Sequence, residues 1–180
     1  MATPPTRASY WLPGEMILAG EFPGWRSHDA PAVLASLLDA GIRTFVDLTQ
    51  SIDPLQSYEP LLEDAARERG LSVTYRRFPV PDMDVPSPRT MAAILSFIEA
   101  EVAGGRKVYV HCLGGVGRTG TVTGCLLAQD AADGAEALRT VGRLFAATDL
   151  ATLYETVSPQ TEAQRAFVRD WPSKARALDG

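Results

Sequence analysis

Apolar residues along the chain fall into two alternating rhythms: short β-branched runs and longer stretches at helical spacing. Residues 16–20 predict a short strand. Residues 31–40 follow at helical spacing, with Pro31 in the first turn and Gly41 as the stop. Residues 42–49 (IRTFVDLT) are β-branched and aromatic-rich, a second strand. Helical spacing returns over residues 58–69 up to Gly70, and residues 72–78 alternate as a strand. Pro79, Pro81, Pro86 and Pro88 then break the regularity. Residues 89–102 read as an amphipathic helix closed by Gly104 and Gly105, and residues 107–111 (KVYVH) as a buried central strand. After a glycine-rich turn, residues 119–131, 134–147 and 160–171 read as helices. This alternation predicts an α/β fold, a central and mostly parallel sheet flanked by helices. No internal repeat or low-complexity block interrupts it.

A chain of 180 residues fits one compact domain. The expected division is a flexible N-terminal segment over 1–10, a single domain over 11–172, and a C-terminal tail over 173–180. The leading residues, with Pro4 and Pro5, lack the apolar core of a signal peptide, and no run reaches the ~18 apolar residues of a membrane helix. Seventeen basic residues against 22 acidic ones leave a formal charge of −5. With no Lys/Arg cluster, nucleic acid and anionic membrane are not expected partners, and a monomer is expected. The two cysteines, Cys112 and Cys125, are too few for a disulfide framework. Loop followed by about seven helical residues at ~1.5 Å each separates them by on the order of 10 Å, too far to bridge. A reducing cytoplasm is the natural compartment.

The segment HCLGGVGRTG, residues 111–120, concentrates the chemistry. A strand ends, a thiol follows, a glycine-rich loop turns, and an arginine opens a helix. A thiol is a weak nucleophile until it is ionised. The positive end of a helix and the N–H groups of a curled loop both favour an anion at that place. Gly114, Gly115 and Gly117 are expected to supply positive-φ positions and an unobstructed amide surface. Arg118 can fold back with two parallel donors for two oxygens of a tetrahedral dianion. A buried core cysteine beside a tight turn is the plainer alternative. The coincidence of cysteine, glycines, arginine and Thr119 at one strand–turn–helix junction favours the anion site.

These residues resemble the His-Cys-x5-Arg-Ser/Thr loop of the protein tyrosine and dual-specificity phosphatase superfamily. Chain length and helix–strand order are similar to its small dual-specificity branch, and the segment Leu18-Ala19-Gly20-Glu21-Phe22-Pro23-Gly24 resembles the start of bacterial members. The resemblance implies a phosphatase fold in which Cys112 attacks phosphorus. Leu113, Gly114, Gly115, Val116, Gly117 and Arg118 would hold the phosphate, with no metal or organic cofactor. It also implies that His111 orients the loop and helps lower the thiol pKa, and that Thr119 donates to the departing thiolate.

Such chemistry needs an acid for the leaving oxygen and a base for water. Asp82, in the proline-interrupted stretch FPVPDMD, matches the family's general acid, and Asp84 is its competitor. A turn or helix-capping role is the ordinary fate of either. Gln160 and Gln164 resemble the glutamine-bearing helix start that positions the hydrolytic water. Phe22 and Trp25 read as packing in preference to pocket rim, His28 as having no catalytic part, and Cys125 as core.

Three functions compete on this sequence. The first is hydrolysis of phosphate monoesters, phosphotyrosine above all and phosphoserine/threonine with it, through a cysteinyl phosphate. The second keeps the reaction but takes a phosphoinositide or small phosphate ester; the neutral loop positions argue for protein substrates. The third is a phosphate-binding module without turnover, which would be expected to lack the cysteine, arginine or acid. Arsenate reduction would need resolving cysteines, and sulfur transfer would leave Asp82 without a task.

Overall fold

A computed structural model describes residues 2–131, 133–154 and 156–178. Five strands form one sheet in the order β1-β2-β5-β3-β4. They are β1 (Ser9–Trp11), β2 (Ile17–Gly20), β3 (Ile42–Asp47), β4 (Thr74–Arg77) and β5 (Lys107–His111). β1 runs antiparallel to β2, and every other pairing is parallel. The helices are α1 (Ala30–Asp39), α2 (Glu59–Glu68), α3 (Pro88–Ala103), α4 (Gly117–Ala131), α5 (Gly134–Ala146), α6 (Asp149–Tyr154) and α7 (Glu162–Arg176).

Strand parity sorts the core into two layers. On β5, Val108 and Val110 join the cluster that includes Ile94 of α3, Val122 of α4, Ala137 of α5 and Phe167 of α7. Tyr109, between them, faces Leu34 of α1 and Leu62 of α2. Successive side chains of a strand point to opposite faces, so the Val108-Tyr109-Val110 centre of this strand is buried on both, as expected for the middle of a parallel sheet.

Three differences from the sequence expectation concern the edges. Ser9 and Tyr10, assigned above to a flexible leading segment, pair with Gly20 and Ala19 of β2 and are buried. Three residues carry too little periodicity to show a strand, and tertiary pairing makes it. α6 has six residues and was missed for the same reason. α7 continues through Pro172 to Arg176, into the expected tail, because a proline removes one donor without unmaking the packing of Phe167, Val168 and Trp171 on the core.

Candidate active site

The C-terminal ends of β5 and β3 open onto the loop of residues 112–118, the place where open parallel sheets bind ligands. Cys112 follows β5 directly and is buried. Leu113 is tied down through its carbonyl, which accepts from the Phe22 N–H at 3.0 Å. Val116 is fixed likewise, its carbonyl accepting from Ser158 Oγ at 2.8 Å. The loop runs into α4, which begins at Gly117, two residues before the sequence suggested, so the arginine belongs to the first turn of a fifteen-residue helix. The N-terminal amides and dipole of that helix favour an anion there.

The glycines serve different ends. Only Gly115 has a positive φ, 71°, and it lies so close to β2 that a Cβ would stand 2.6 Å from the carbonyl carbon of Gly20. Gly114 and Gly117, expected to supply positive φ as well, do not adopt it. Their missing side chains make room instead. A Cβ on Gly114 would stand 2.7 Å from the Tyr154 hydroxyl, and one on Gly117 2.9 Å from Gln164 Nε2.

Arg118 is held at one nitrogen and presented at the others. Its side chain is 1% exposed. Nη1 donates to Asp53 Oδ2 at 2.7 Å and to the Val80 carbonyl at 3.3 Å. Nη2 stands 3.1 Å from Asp82 Oδ1, an ion-pair contact with a side chain that is 57% exposed. Neither Nε nor Nη2 makes a hydrogen bond among the described residues. Burial works against the arginine's charge, but Cys112, Asp53 and Asp82 more than compensate and push its pKa up. Asp53, on the β3–α2 loop, was not singled out from the sequence, where nothing distinguishes an aspartate before Pro54 from an ordinary turn residue.

His111 is fully buried beside Asp47, its register partner on β3. Burial depresses its pKa, outweighing the pull of Asp47 and of the Cys112 carbonyl. The imidazole is therefore neutral at neutral pH, and its contacts fix the tautomer. A carbonyl can only accept, so Nδ1–H donates to the Cys112 carbonyl at 3.2 Å, and Nε2 accepts from the Tyr58 hydroxyl at 2.7 Å. Asp47 accepts from Thr49 N–H at 2.8 Å and Tyr75 Oη at 2.6 Å, and contacts Arg77 at 3.2 Å. Burial would raise its pKa, but His111 and these donors leave it lowered. Thr119 is buried, and its hydroxyl has no partner among the described residues.

The two candidate acids part company. Met83 between them adopts a φ of 60°, a turn uncommon for such a side chain. Asp82 faces Arg118, whereas Asp84 Oδ1 accepts from the Val85 N–H at 2.8 Å, a local turn contact. Gln164 is fully buried, and its amide is already employed. Oε1 accepts from the Gln160 and Thr161 N–H groups at 3.1 and 3.0 Å, and Nε2 donates to the Asp84 carbonyl at 3.2 Å. Together with Thr161 it forms the capping box of α7. Gln160 is half-buried and contributes its backbone to this arrangement. Cys125 lies in α4 within the core, and burial pushes its thiol pKa well up. Among the described residues no cluster of His, Cys, Asp or Glu is placed to hold a metal, and no helix is long and apolar enough to cross a membrane.

A family model described as "Polymorphic toxin system, DSP-PTPase phosphatase" matches residues 19–132. The protein named "Putative tyrosine phosphatase 067L" of Invertebrate iridescent virus 3 is 27% identical over 126 residues, 68% of this chain and 46% of the viral protein. The uncharacterized protein MJECL20 of Methanocaldococcus jannaschii is 48% identical over 44 residues, 24% of this chain and 30% of that protein. The chain thus spans less than half the length of these curated relatives. Among solved structures, Tk-PTP in its active form superposes with a TM-score of 0.71 at 23% identity, covering 92% of this chain and 97% of that one. Kinase associated phosphatase with serine for its catalytic-site cysteine gives 0.73 at 20% identity, covering 94% and 96%. PTPMT1 in complex with PI(5)P gives 0.65 at 18% identity, covering 92% and 95%. At these identities the likeness concerns the fold.

Proposed function

The chain belongs to the DSP-PTPase phosphatase family of polymorphic toxin systems, matched over residues 19–132, and from that premise we propose that it hydrolyses phosphate monoesters, phosphotyrosine in proteins first among them. The observation that carries this reading is the Nε–Nη2 edge of a buried Arg118, which makes no hydrogen bond among the described residues and meets only the exposed Asp82 carboxylate, while Nη1 is tied to Asp53 and Val80. A guanidinium held this way offers two parallel donors to two phosphoryl oxygens.

In the first step the Cys112 sulfur attacks phosphorus, forming the S–P bond as the ester P–O bond breaks. Asp82 gives its proton to the leaving oxygen. In the second, water attacks phosphorus, Asp82 takes up the water proton, and the S–P bond breaks to release phosphate. The partnerless hydroxyl of Thr119 is available to donate to the thiolate as it departs. The neutral His111 supports the loop through the Cys112 carbonyl and brings orientation rather than charge. Arg118, the loop amides and the start of α4 balance the developing negative charge. All of these groups come from one chain, so a monomer suffices. Two free cysteines suit a reducing cytoplasm.

A phosphoinositide or small-ester substrate is the second reading, favoured by the likeness to PTPMT1 with its bound PI(5)P. The absence of any cation from loop positions Leu113, Gly114, Gly115, Val116 and Gly117 weighs toward protein substrates. The test compares phosphotyrosine peptide, phosphoserine peptide, inositol lipid and an aryl phosphate with the parent, Cys112→Ser and Arg118→Lys. The expected result is turnover of the phosphotyrosine peptide and aryl phosphate by the parent, none by Cys112→Ser, and a loss of roughly 10²–10³ in Arg118→Lys. Hydrolysis by Cys112→Ser at the parent's rate would overturn the reading.

A further inference from the structure

Gly114 is a glycine whose backbone does not need to be one. It avoids positive φ, and the space its side chain would fill is taken by Tyr154, with Oη at 2.7 Å, Cζ at 3.1 Å and Cε2 at 3.4 Å from an ideal Cβ. The ring edge of Tyr154 therefore rests on the loop two residues past Cys112. The side chain is held there from behind. Arg26 lies over the ring with its guanidinium carbon 5.2 Å from the centroid, and is itself anchored by Glu21 at 3.0 Å. Burial raises the pKa of the Tyr154 hydroxyl, and the Cys112 charge is close enough to add to the effect. Yet 36% of the residue remains exposed. An aromatic ring that touches the loop, is braced by a cation and still meets solvent can flank a ligand seated on that loop.

We infer that Tyr154 is a specificity-determining residue that selects aryl over alkyl phosphate monoesters by packing against the ring that carries the phosphate. The inference rests on the phosphatase reading only for which ligands matter, since the ring acts on binding. With phosphorus over the loop, an aryl group leaving the site passes the Tyr154 ring, where offset or edge-to-face packing is favourable. A serine or threonine side chain offers too little surface for that contact, and its phosphate gains nothing.

The experiment measures binding of phenylphosphonate and methylphosphonate by calorimetry to the full chain, to Tyr154→Phe and to Tyr154→Ala. Neither ligand is hydrolysed. The expected outcome is a phenyl-over-methyl preference that falls roughly threefold to tenfold in Tyr154→Ala and persists in Tyr154→Phe, with methylphosphonate affinity within about twofold throughout. A preference unchanged in Tyr154→Ala, or a parallel loss for both ligands, would overturn it. If the preference behaves as expected while the parent turns over no phosphate ester, the role of Tyr154 in binding stands and the phosphatase reading fails.

Discussion

The carboxylate of Asp53 lies 2.7 Å from Nη1 of Arg118, with the two side chains 9% and 1% exposed. A second bond from the Gln50 N–H, at 2.7 Å to the same Oδ2, locks the aspartate in its loop. Asp53 thus occupies the Nη1 corner of the guanidinium and leaves the Nε–Nη2 edge without a hydrogen bond among the described residues, the edge proposed above to meet phosphate. Asp82 plays a different part, meeting Nη2 from an exposed position that a ligand oxygen can take over.

Replacing Asp53 by Ala is expected to free the guanidinium to rotate toward Asp82. Misplacing a binding group by about 1 Å can cost on the order of 10²-fold, so kcat/KM for an aryl phosphate should fall roughly 10- to 100-fold. Asp53→Asn keeps an acceptor for Nη1 and should retain more activity than Asp53→Ala. Equal activity in parent and Asp53→Ala would show that Arg118 needs no such brace.

The structure separates the two acids, and kinetics can check the separation. Asp82→Asn removes the carboxyl facing Arg118 and should lower kcat by roughly 10²–10⁴, the usual worth of general acid–base catalysis. The loss should be smallest for aryl phosphates whose leaving group departs without a proton. Asp84→Asn disturbs only a local turn and should stay within about twofold of the parent. The reverse order would transfer the acid role to Asp84.

Much of this arrangement was legible because local chemistry and chain order agree. KVYVH could be placed in the middle of a sheet because its continuous Val108-Tyr109-Val110 centre needs cover on both faces, and Cys112 and Arg118 followed from the junction after it. Asp53 was illegible because its partner lies 65 positions away, and no short motif links an arginine to a carboxylate arriving from another loop. Positive φ was expected of Gly114 and Gly117 besides an unobstructed amide surface, whereas neither adopts it and their missing side chains admit Tyr154 and Gln164. Sequence shows that a side chain is missing, and only packing shows what fills its place. β1 and α6 are short elements created by contacts with β2 and α5, beyond the reach of periodicity.

Stability should carry the signature of His111. In the unfolded chain a histidine takes up its proton near pH ~6.5, whereas burial lowers the pKa in the folded state. Below about 6.5 the unfolded state therefore binds more protons, and stability declines as pH falls toward the folded pKa, by up to ~1.4 kcal/mol per pH unit. The lowered pKa of Asp47 adds a decline of the same sign in the more acidic range below ~4. Glu21, whose pKa burial raises, titrates with the opposite sign. Urea unfolding at pH 7 and pH 5, for the parent and for His111→Gln, isolates the histidine contribution. The parent should lose more stability over that interval than the variant. A parallel loss would mean that His111 titrates alike in both states.

Gln164 links α7, the loop carrying Asp82 and Asp84, and the 112–118 loop at Gly117, which makes it a brace as much as a candidate for holding water. Truncation to Ala strands the Gln160 and Thr161 N–H groups and the Asp84 carbonyl. Leaving a buried polar group unpaired costs about 1–3 kcal/mol, so the melting temperature should fall by roughly 2–10 °C for a domain of this size. Glutamate at this position would still complete the capping box but would set an acceptor against the Asp84 carbonyl. Gln164→Glu should therefore melt closer to the parent than Gln164→Ala does. Its kcat should nevertheless fall as the segment carrying Asp82 loosens, while affinity for vanadate, which needs only the loop and Arg118, stays within about threefold. If Gln164→Glu matched the parent in kcat, the tie to Asp84 would have no part in holding the acid in place.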